Sequence, residues 1–320
     1  MRATRRGGPG DVRLMPITVI GDSTLDVTVR ASGPPRAGGD VPAKISISPG
    51  GQGANVAVRL ARAGINVRLA TAIADDAAGR ILAQAVEADG VAIVRLGAER
   101  SGLVISLLDA AGERAMLSDR VTLDPGALAA ACRGAEWVHC SGYPLADDVT
   151  GDAVAEVLGA LPPSTRVSAG GGSLPDDAAR SARVRSRIAT AGVALLVLGR
   201  EEAAALLDRP LPSVAAAADA LAVAFPALIV VVTGAAAGSA AAGPGFAISV
   251  PAVEPTTPML DSTGAGDAYV AALILELRGP DWPPDVPKLR AAMERASRDG
   301  GLVSRVLGAQ GRTAGEPSGR

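Results

Sequence analysis

Short runs of β-branched and aliphatic residues recur along the chain: "ITVIGD", "VRLATAIA", "WVHCSG", "TRVSAG", "VALLVLG" and "LIVVVTG". Each is continuously apolar rather than alternating, the pattern of a strand buried on both faces. Between most of them lie alanine- and leucine-rich stretches of helical character, such as "GANVAVRLARAG", "RILAQAVEADG" and "DAVAEVLGAL". This alternation predicts an α/β fold: a central, mostly parallel sheet flanked by helices, with ligands beyond the carboxyl ends of the strands. The longest apolar stretch, "VAAAADALAVAFPALIVVV", has the length of a membrane span. Asp219 interrupts it and Pro226 divides it into a helix and a strand, so it reads as core.

Two segments break the rhythm. Residues 26–48 alternate like strands around Gly/Pro turns, and residues 101–122 read as a hairpin turning at "DAAGER". Neither carries a helix pattern, and the two are expected to pair into a small separate sheet, a lid over the main domain. Residues 1–14 are basic without the apolar run of a signal peptide, and they and the tail 311–320 are expected to be disordered. That leaves 15–310 as the folded domain.

Charge and composition narrow the function. With 31 basic and 33 acidic residues there is no electrostatic footprint for nucleic acid, and aromatics at 2% leave few stacking platforms. Two cysteines, Cys132 and Cys140, and one histidine, His139, cannot supply a four-ligand Cys/His zinc site. A lone cysteine pair in a chain this long fits reduced thiols. A cytoplasmic protein with neither a nucleic-acid nor a membrane partner is expected.

The candidate chemistry lies in two glycine-rich stretches. In "SPGGQGANVAVRLARAG", Gly50, Gly51 and Gly53 allow close approach to the backbone, while Gln52 and Asn55 offer amide donors and acceptors. A site that reads hydroxyls and a glycine turn that caps a helix are equally open; the spacing is not that of a dinucleotide loop. Upstream, Asp22 reads as a strand terminator and Asp26 as a hydroxyl ligand. In "DSTGAGDAYV", Gly264, Ala265 and Gly266 precede a helix whose free N–H groups and dipole suit an anion. Asp267, in the first turn, would repel a static phosphate. It makes sense as a base for a hydroxyl that attacks a phosphoryl group, although an acid in a first turn is also ordinary helix chemistry.

The pair, "GGQGAN" followed some 200 residues later by "DSTGAGD", resembles the PfkB family of carbohydrate kinases, with its ribokinase-like fold. The resemblance runs from about 16 to 310 and includes the strand with Asp26, the "VHCSGYPL" stretch and the closing "VSRVLGAQ". It implies that Asp267 is the catalytic base and that Gly264, Ala265 and Gly266 form the anion hole. Asp26, Gly51, Gln52 and Asn55 would bind acceptor hydroxyls, and Thr233, Gly238 and Glu202 would lie at ATP. The family uses ATP with Mg²⁺. Many members respond to a monovalent cation, with K⁺ the candidate here, near Asp261, Thr263 and Ser304. Its small sheet often forms a dimer interface, which makes a homodimer through the lid a candidate assembly.

Three departures stand out. The family's Asn-x-x-Glu has Gly199 for asparagine, with Glu202 retained. The usual aspartate after "TRVS" is replaced by small residues around Ala169 and Gly170. The loop after Thr233 has its glycine at Gly234, one residue early. The implied reaction is ATP-dependent phosphorylation of a small unphosphorylated sugar or sugar acid. Lys44 and Arg30 keep a sugar phosphate open. A nucleoside kinase and a non-catalytic sugar- or nucleotide-binding protein are the alternatives. The lid segments have no aromatic residue to stack a base, and Gly199 is what the non-catalytic reading rests on. Of the remaining singletons, His139 reads as structural, Tyr143 as an acceptor-pocket candidate, and Arg59 and Arg62 as the solvated face of their helix.

Overall fold

Along the run "LLVLG", Leu195 and Val197 join one buried cluster while Leu196 and Leu198 join another. Successive side chains of a strand point to opposite faces, so a continuous apolar run is a strand covered on both sides. The computed structural model describes residues 16–33, 37–108, 114–172, 177–253, 263–304 and 309–310. The ends expected to be disordered, 1–14 and 311–320, lie outside the described residues, as do Asp261 and the turn at 109–113.

The first strands are β1 (Ile17–Ile20), β2 (Thr24–Ala31), β3 (Ala43–Gly50), β4 (Val67–Thr71), β5 (Ala92–Arg95), β6 (Gly102–Leu108) and β7 (Arg114–Asp119). After them come β8 (Trp137–Cys140), β9 (Arg166–Gly170), β10 (Leu195–Gly199), β11 (Ile229–Thr233), β12 (Ser239–Gly243) and β13 (Phe246–Val250). The helices are α1 (Gln52–Arg62), α2 (Ala77–Ala88), α3 (Leu128–Cys132), α4 (Gly142–Ala146) and α5 (Gly151–Gly159). They continue with α6 (Ala178–Thr190), α7 (Arg200–Leu207), α8 (Val214–Ala224), α9 (Ala265–Leu277) and α10 (Val286–Val303).

Nine strands form the main sheet in the order β13-β12-β11-β10-β9-β8-β1-β4-β5. The seven from β11 to β5 run parallel, and β12 and β13 add an antiparallel edge. Helices α1, α9 and α10 cover one face, and α3 and α5 to α8 the other. Helix α9 is buried almost throughout, from Ala268 to Ile274 and at Leu277, which explains its lack of a polar stripe. Pro226 does separate α8 from β11. Among the described residues no helix is long and apolar enough to cross a membrane.

The segments that broke the helical rhythm form a second sheet in the order β3-β2-β6-β7. Its outer pairs are antiparallel, and the central pair, β2 with β6, is parallel. One row across it runs Ser48, Asp26, Val104, Ser118, on the face that buries Val104. On the opposite face Ile45, Ile47, Leu103 and Leu117 are exposed, the surface a homodimer through this sheet would use.

Candidate active site

Helix α9 opens at Gly264, whose φ of 79° is left-handed. A Cβ there would lie 2.9 Å from Ala309 Cα, so both conformation and contact require glycine. A Cβ on Gly266 would meet nothing within 4 Å. Open space therefore lies over a first turn whose N–H groups have no helical acceptor and whose dipole is positive.

Asp267 is half-buried in that turn, and its Oδ2 accepts a 2.7 Å hydrogen bond from Asn55 Nδ2. Burial pushes the Asp267 carboxyl up to about 7. The Asn55 bond and Arg59 pull it down, while the Asp22 and Glu202 carboxylates push it further up. A carboxyl brought this close to neutrality can take up and release a proton at working pH.

Helix α1 begins at Gly51, with φ 96° and no room for a Cβ, which would lie 2.5 Å from the Asp22 carbonyl oxygen. A Cβ on Gly53 would lie 2.7 Å from Gly21 Cα. These glycines let α1 rest directly on the β1–β2 loop, bringing Gln52 and Asn55 to the carboxyl end of β1. Asp26 reaches the same end from the small sheet. Its Oδ1 accepts from Thr24 Oγ1 at 2.8 Å, and a Cβ on Gly50 would overlap its other oxygen.

Between the small sheet and the ends of β1 and β8 lies a cavity of about 440 Å³, lined among others by Asp22, Ser23, Thr24, Ser118, Arg120 and Tyr143. Asp22 is 10% exposed and pairs with Arg120, whose guanidinium sits 3.6 Å above the Tyr143 ring centre. At and beside this cavity Asp22 Oδ1, Ser23 Oγ, Gln52 Oε1, Ser141 Oγ and Arg180 Nε are buried without a hydrogen-bond partner. Buried polar atoms are nearly always satisfied, so such a group marks a place where hydroxyls of a ligand, or water, belong. Arg180 also lines the cavity and pairs with Asp148 at 3.3 Å. Lys44 and Arg30 do not line it; they face one another at the exposed outer end of β2 and β3.

The residues expected at the nucleotide follow β9 to β12. Glu202 reaches back from α7 to accept from Gly199 N at 2.6 Å, half of a capping box. Its carboxyl fills the space that a side chain at Gly171 would need. Small residues at the end of β9 thus make room for a carboxylate supplied from α7. Burial raises the pKa of Glu202. Thr233 ends β11 with its hydroxyl 3.5 Å from Leu198 O, and Gly238 (φ 77°) has no room for a Cβ against Val250 O. The early glycine is also explained: Gly234 lies against Val214, and Ala235 takes the left-handed conformation, at φ 49°. Thr263 precedes α9, and Ser304 caps α10 with its hydroxyl on Gly301 O at 2.9 Å; Asp261, the third expected cation ligand, is outside the described residues.

Four features were misread or missed in the sequence. Asp22 lies in the cavity wall and acts on Asp267, beyond ending a strand. Arg120 carried no signal at all. Arg59 is half-buried rather than part of a solvated face, and Arg62, exposed as expected, is nevertheless engaged: they donate to Ala309 O and Gln310 O, each at 2.7 Å. Gln310, 3% exposed, donates to Asn55 Oδ1 at 3.1 Å. His139 is structural as expected, buried in β8 and 2.9 Å from Ser168 Oγ. Tyr143 does line the cavity.

A parallel sheet with a small sheet over its carboxyl end, a buried carboxyl at a helix N-terminus and an unsatisfied polar wall define a ribokinase-like sugar-kinase architecture. Residues 16–310 match the family model of the pfkB family carbohydrate kinases, and the chain belongs to that family. No curated protein matches the sequence. Among solved structures it is similar to ribokinase of Arabidopsis thaliana complexed with ribose and ATP, at 20% identity over 92% of this chain and 94% of that one, with a TM-score of 0.74. Ribokinase of Giardia lamblia gives 18% identity, 93% and 95% coverage and a TM-score of 0.75. A double mutant of fructokinase from Vibrio cholerae O395, bound to fructose, ADP and potassium ion, gives 22%, 93% and 94%, and 0.73.

Proposed function

We propose that this carbohydrate kinase transfers the γ-phosphoryl group of ATP to a hydroxyl of a small unphosphorylated sugar. The observation that carries the reading is Asp267, a carboxyl held by Asn55 at an open helix N-terminus and poised near neutrality by burial. Asp26, Gln52 and Asn55 bind acceptor hydroxyls, joined by Asp22 and Ser23. Asp267 takes the proton of the hydroxyl to be phosphorylated. The freed oxygen bonds to the γ-phosphorus, the bond to the ADP oxygen breaks, and the N–H groups of the Gly264–Gly266 turn receive the charge of the moving phosphoryl group.

Among the described residues no three His, Cys, Asp or Glu side chains gather to hold a metal unaided. That fits Mg²⁺, which usually binds through one or two carboxylates together with waters and nucleotide phosphates. Glu202 is the carboxylate we assign to organising it; when bound, the ion neutralises phosphate charge. Thr233 and Gly238 flank the nucleotide, and a K⁺ site at Thr263 and Ser304 is the remaining assignment.

The cavity's charges bear on the acceptor. Arg120 is already paired with Asp22, and Arg180 pairs with the exposed Asp148, although the buried Nε of Arg180 makes no hydrogen bond and is the one cationic donor here that an anionic acceptor could recruit. The unsatisfied atoms include two acceptors, Asp22 Oδ1 and Gln52 Oε1, which suit donating hydroxyls. This supports a neutral sugar over a sugar phosphate. A sugar acid would need Arg180 to release Asp148, which is exposed.

The test is ADP release from ATP and Mg²⁺ against pentoses, hexoses, sugar acids, sugar phosphates and nucleosides, with and without K⁺. A neutral sugar should turn over, with kcat/KM rising through about pH 7 as Asp267 ionises. Asp267→Asn should lose about 10²–10⁴-fold in kcat. Because its carboxyl titrates at about 7 folded against 3.8 as a free group, the folded state holds the proton more tightly between those values. That carboxyl therefore costs stability progressively as pH rises through that window, and Asp267→Asn should melt higher than wild type above pH 7. Undiminished turnover in Asp267→Asn would refute the base.

A further inference from the structure

Asn55 can meet its neighbours in two ways, because its amide is nearly symmetric in shape and opposite in chemistry at its two ends. A carboxylate only accepts. If Asn55 turned Oδ1 toward Asp267, two acceptors would face each other across a 2.7 Å contact. Something must hold the amide with Nδ2 on Asp267. On its other side, Gln310 Nε2 donates to Asn55 Oδ1 at 3.1 Å. Rotating Asn55 would lose both bonds at once and set donor against donor at Gln310. Both side chains are buried, Asn55 4% and Gln310 3% exposed, so water could not replace what was lost.

Gln310 is itself anchored. Its backbone oxygen accepts from Arg62, which is locked by a two-pronged pair with Asp89 at 2.9 Å on each arm. The neighbouring Ala309 oxygen accepts from Arg59, and Ala309 packs on Gly264 at the start of the catalytic helix. The short segment 309–310 is thus clamped between two arginines of α1 and the first turn of α9, with the Gln310 side chain aimed at Asn55.

We infer that Gln310 is a positioning residue: through the Asn55 amide it fixes which oxygen of Asp267 is engaged and which one faces the acceptor hydroxyl. Asn55 holds Oδ2, so Oδ1 is the oxygen left to take the proton. The charged groups around the pair are Arg59 on α1, Asp22 on the β1–β2 loop and Glu202 on α7, with Asp299 of α10 acting on Arg59. Among the described residues none of these four hydrogen-bonds the Asn55 amide; besides Asp267 itself, the side-chain partner that does is Gln310, directly behind it. This role rests on the reading of Asp267 as the base.

The experiment uses the full chain with Gln310→Met, which keeps the volume and removes the donor, and Gln310→Glu, which keeps the shape and presents an acceptor. Melting curves first establish that each variant is folded. Hydrogen exchange of the Asn55 side-chain amide, followed by NMR without any substrate, reads the orientation directly. It should speed up in both variants. With an acceptor in hand, kcat should fall roughly tenfold in Gln310→Met, and further in Gln310→Glu because an acceptor behind Asn55 favours the reversed amide, while the KM for ATP stays put. Because Gln310→Glu also buries an acid near Asp267, its kcat is compared on the plateau of the pH profile, and a purely packing role predicts unchanged Asn55 amide exchange in both folded variants. Unchanged amide exchange in both variants overturns the inference, and so does faster exchange with wild-type kcat. If no acceptor is found or Asp267→Asn stays active, the kinase reading fails, and amide exchange alone still decides whether Gln310 orients Asn55.

Discussion

The two halves of the site are finished to different degrees. Around Asp267 the polar groups are linked in series, Asp267 Oδ2 with Asn55, Asn55 Oδ1 with Gln310 and Gln310 O with Arg62, with Arg59 Nε the one buried side-chain atom of this network left without a partner among the described residues. Along and beside the cavity wall, five buried side-chain atoms among the described residues have none, at Asp22, Ser23, Gln52, Ser141 and Arg180. If Asp267 is the base proposed above, this network holds it preorganised, so that it does not have to reorganise during the reaction. An unsatisfied wall is costly when empty and repaid when filled, and this is where discrimination comes from: a site built to bond a hydroxyl rejects an analogue that lacks it. On the proposed reading, the fold itself orients the groups that do the chemistry, while the wall keeps polar atoms for the hydroxyls that select the acceptor.

Asp22 is the place to break this contrast, because it touches both halves. It lines the wall through its unpartnered Oδ1, and its charge raises the pKa of Asp267. Asp22→Asn should raise the acceptor KM by about 10- to 100-fold, the range for losing a hydrogen bond to a charged group. At the same time the acid limb of kcat/KM should move to lower pH, because a negative neighbour has gone. A fall in kcat as deep as that of Asp267→Asn, with KM unchanged, would show that the division between the two halves is wrong.

A smaller effect sharpens the anion-hole side. Gly266 has open space where a Cβ would project, and no positive φ. Nothing in the fold therefore demands glycine there. Gly266→Ala should stabilise the helix by about 0.5–1 kcal/mol. The same methyl group would stand where the phosphoryl group arrives, and kcat should drop about tenfold or more, a loss of at least 1.4 kcal/mol in transition-state binding. A variant both more stable and fully active would remove the phosphoryl group from that space.

The parts of this architecture that the sequence revealed are those whose pattern is local. Six apolar runs became β1, β4, β8, β9, β10 and β11, since a strand buried on both faces shows its burial in its own residues. The missed strands lie at or next to the edges: β5 is four residues long and only partly buried, β12 is largely alanine, a weak strand former, and the edge strand β13 is only partly buried. The glycines and Asp267 were legible because they sit within one turn of each other. Arg120 and Gln310 were not. Each matters through a partner some 98 or 255 residues away in the chain, and neither neighbourhood announces it. Asp22 was read as a strand end because its backbone does end one; only the tertiary pairing with Arg120 shows what the carboxylate is for.

The smallest expected effect lies away from both halves, in the loop after β11, and serves as a control on them. There Ala235 carries a left-handed φ of 49°, while Gly234, one residue earlier, has φ −137°, which any residue adopts. A left-handed alanine costs roughly 1–2 kcal/mol, and glycine at the same place gives back part of that gain through its freer unfolded chain. Ala235→Gly should therefore raise stability by about 0.5–1 kcal/mol in denaturant melts. Acceptor KM and the pH profile should stay as they are, because the loop touches neither the Asp267 network nor the polar wall. If the KM for ATP alone moves, the strained alanine holds the loop for the nucleotide, and its cost is functional. If stability falls instead, the left-handed turn is held by contacts that glycine loosens, and the early Gly234 has no strain to account for.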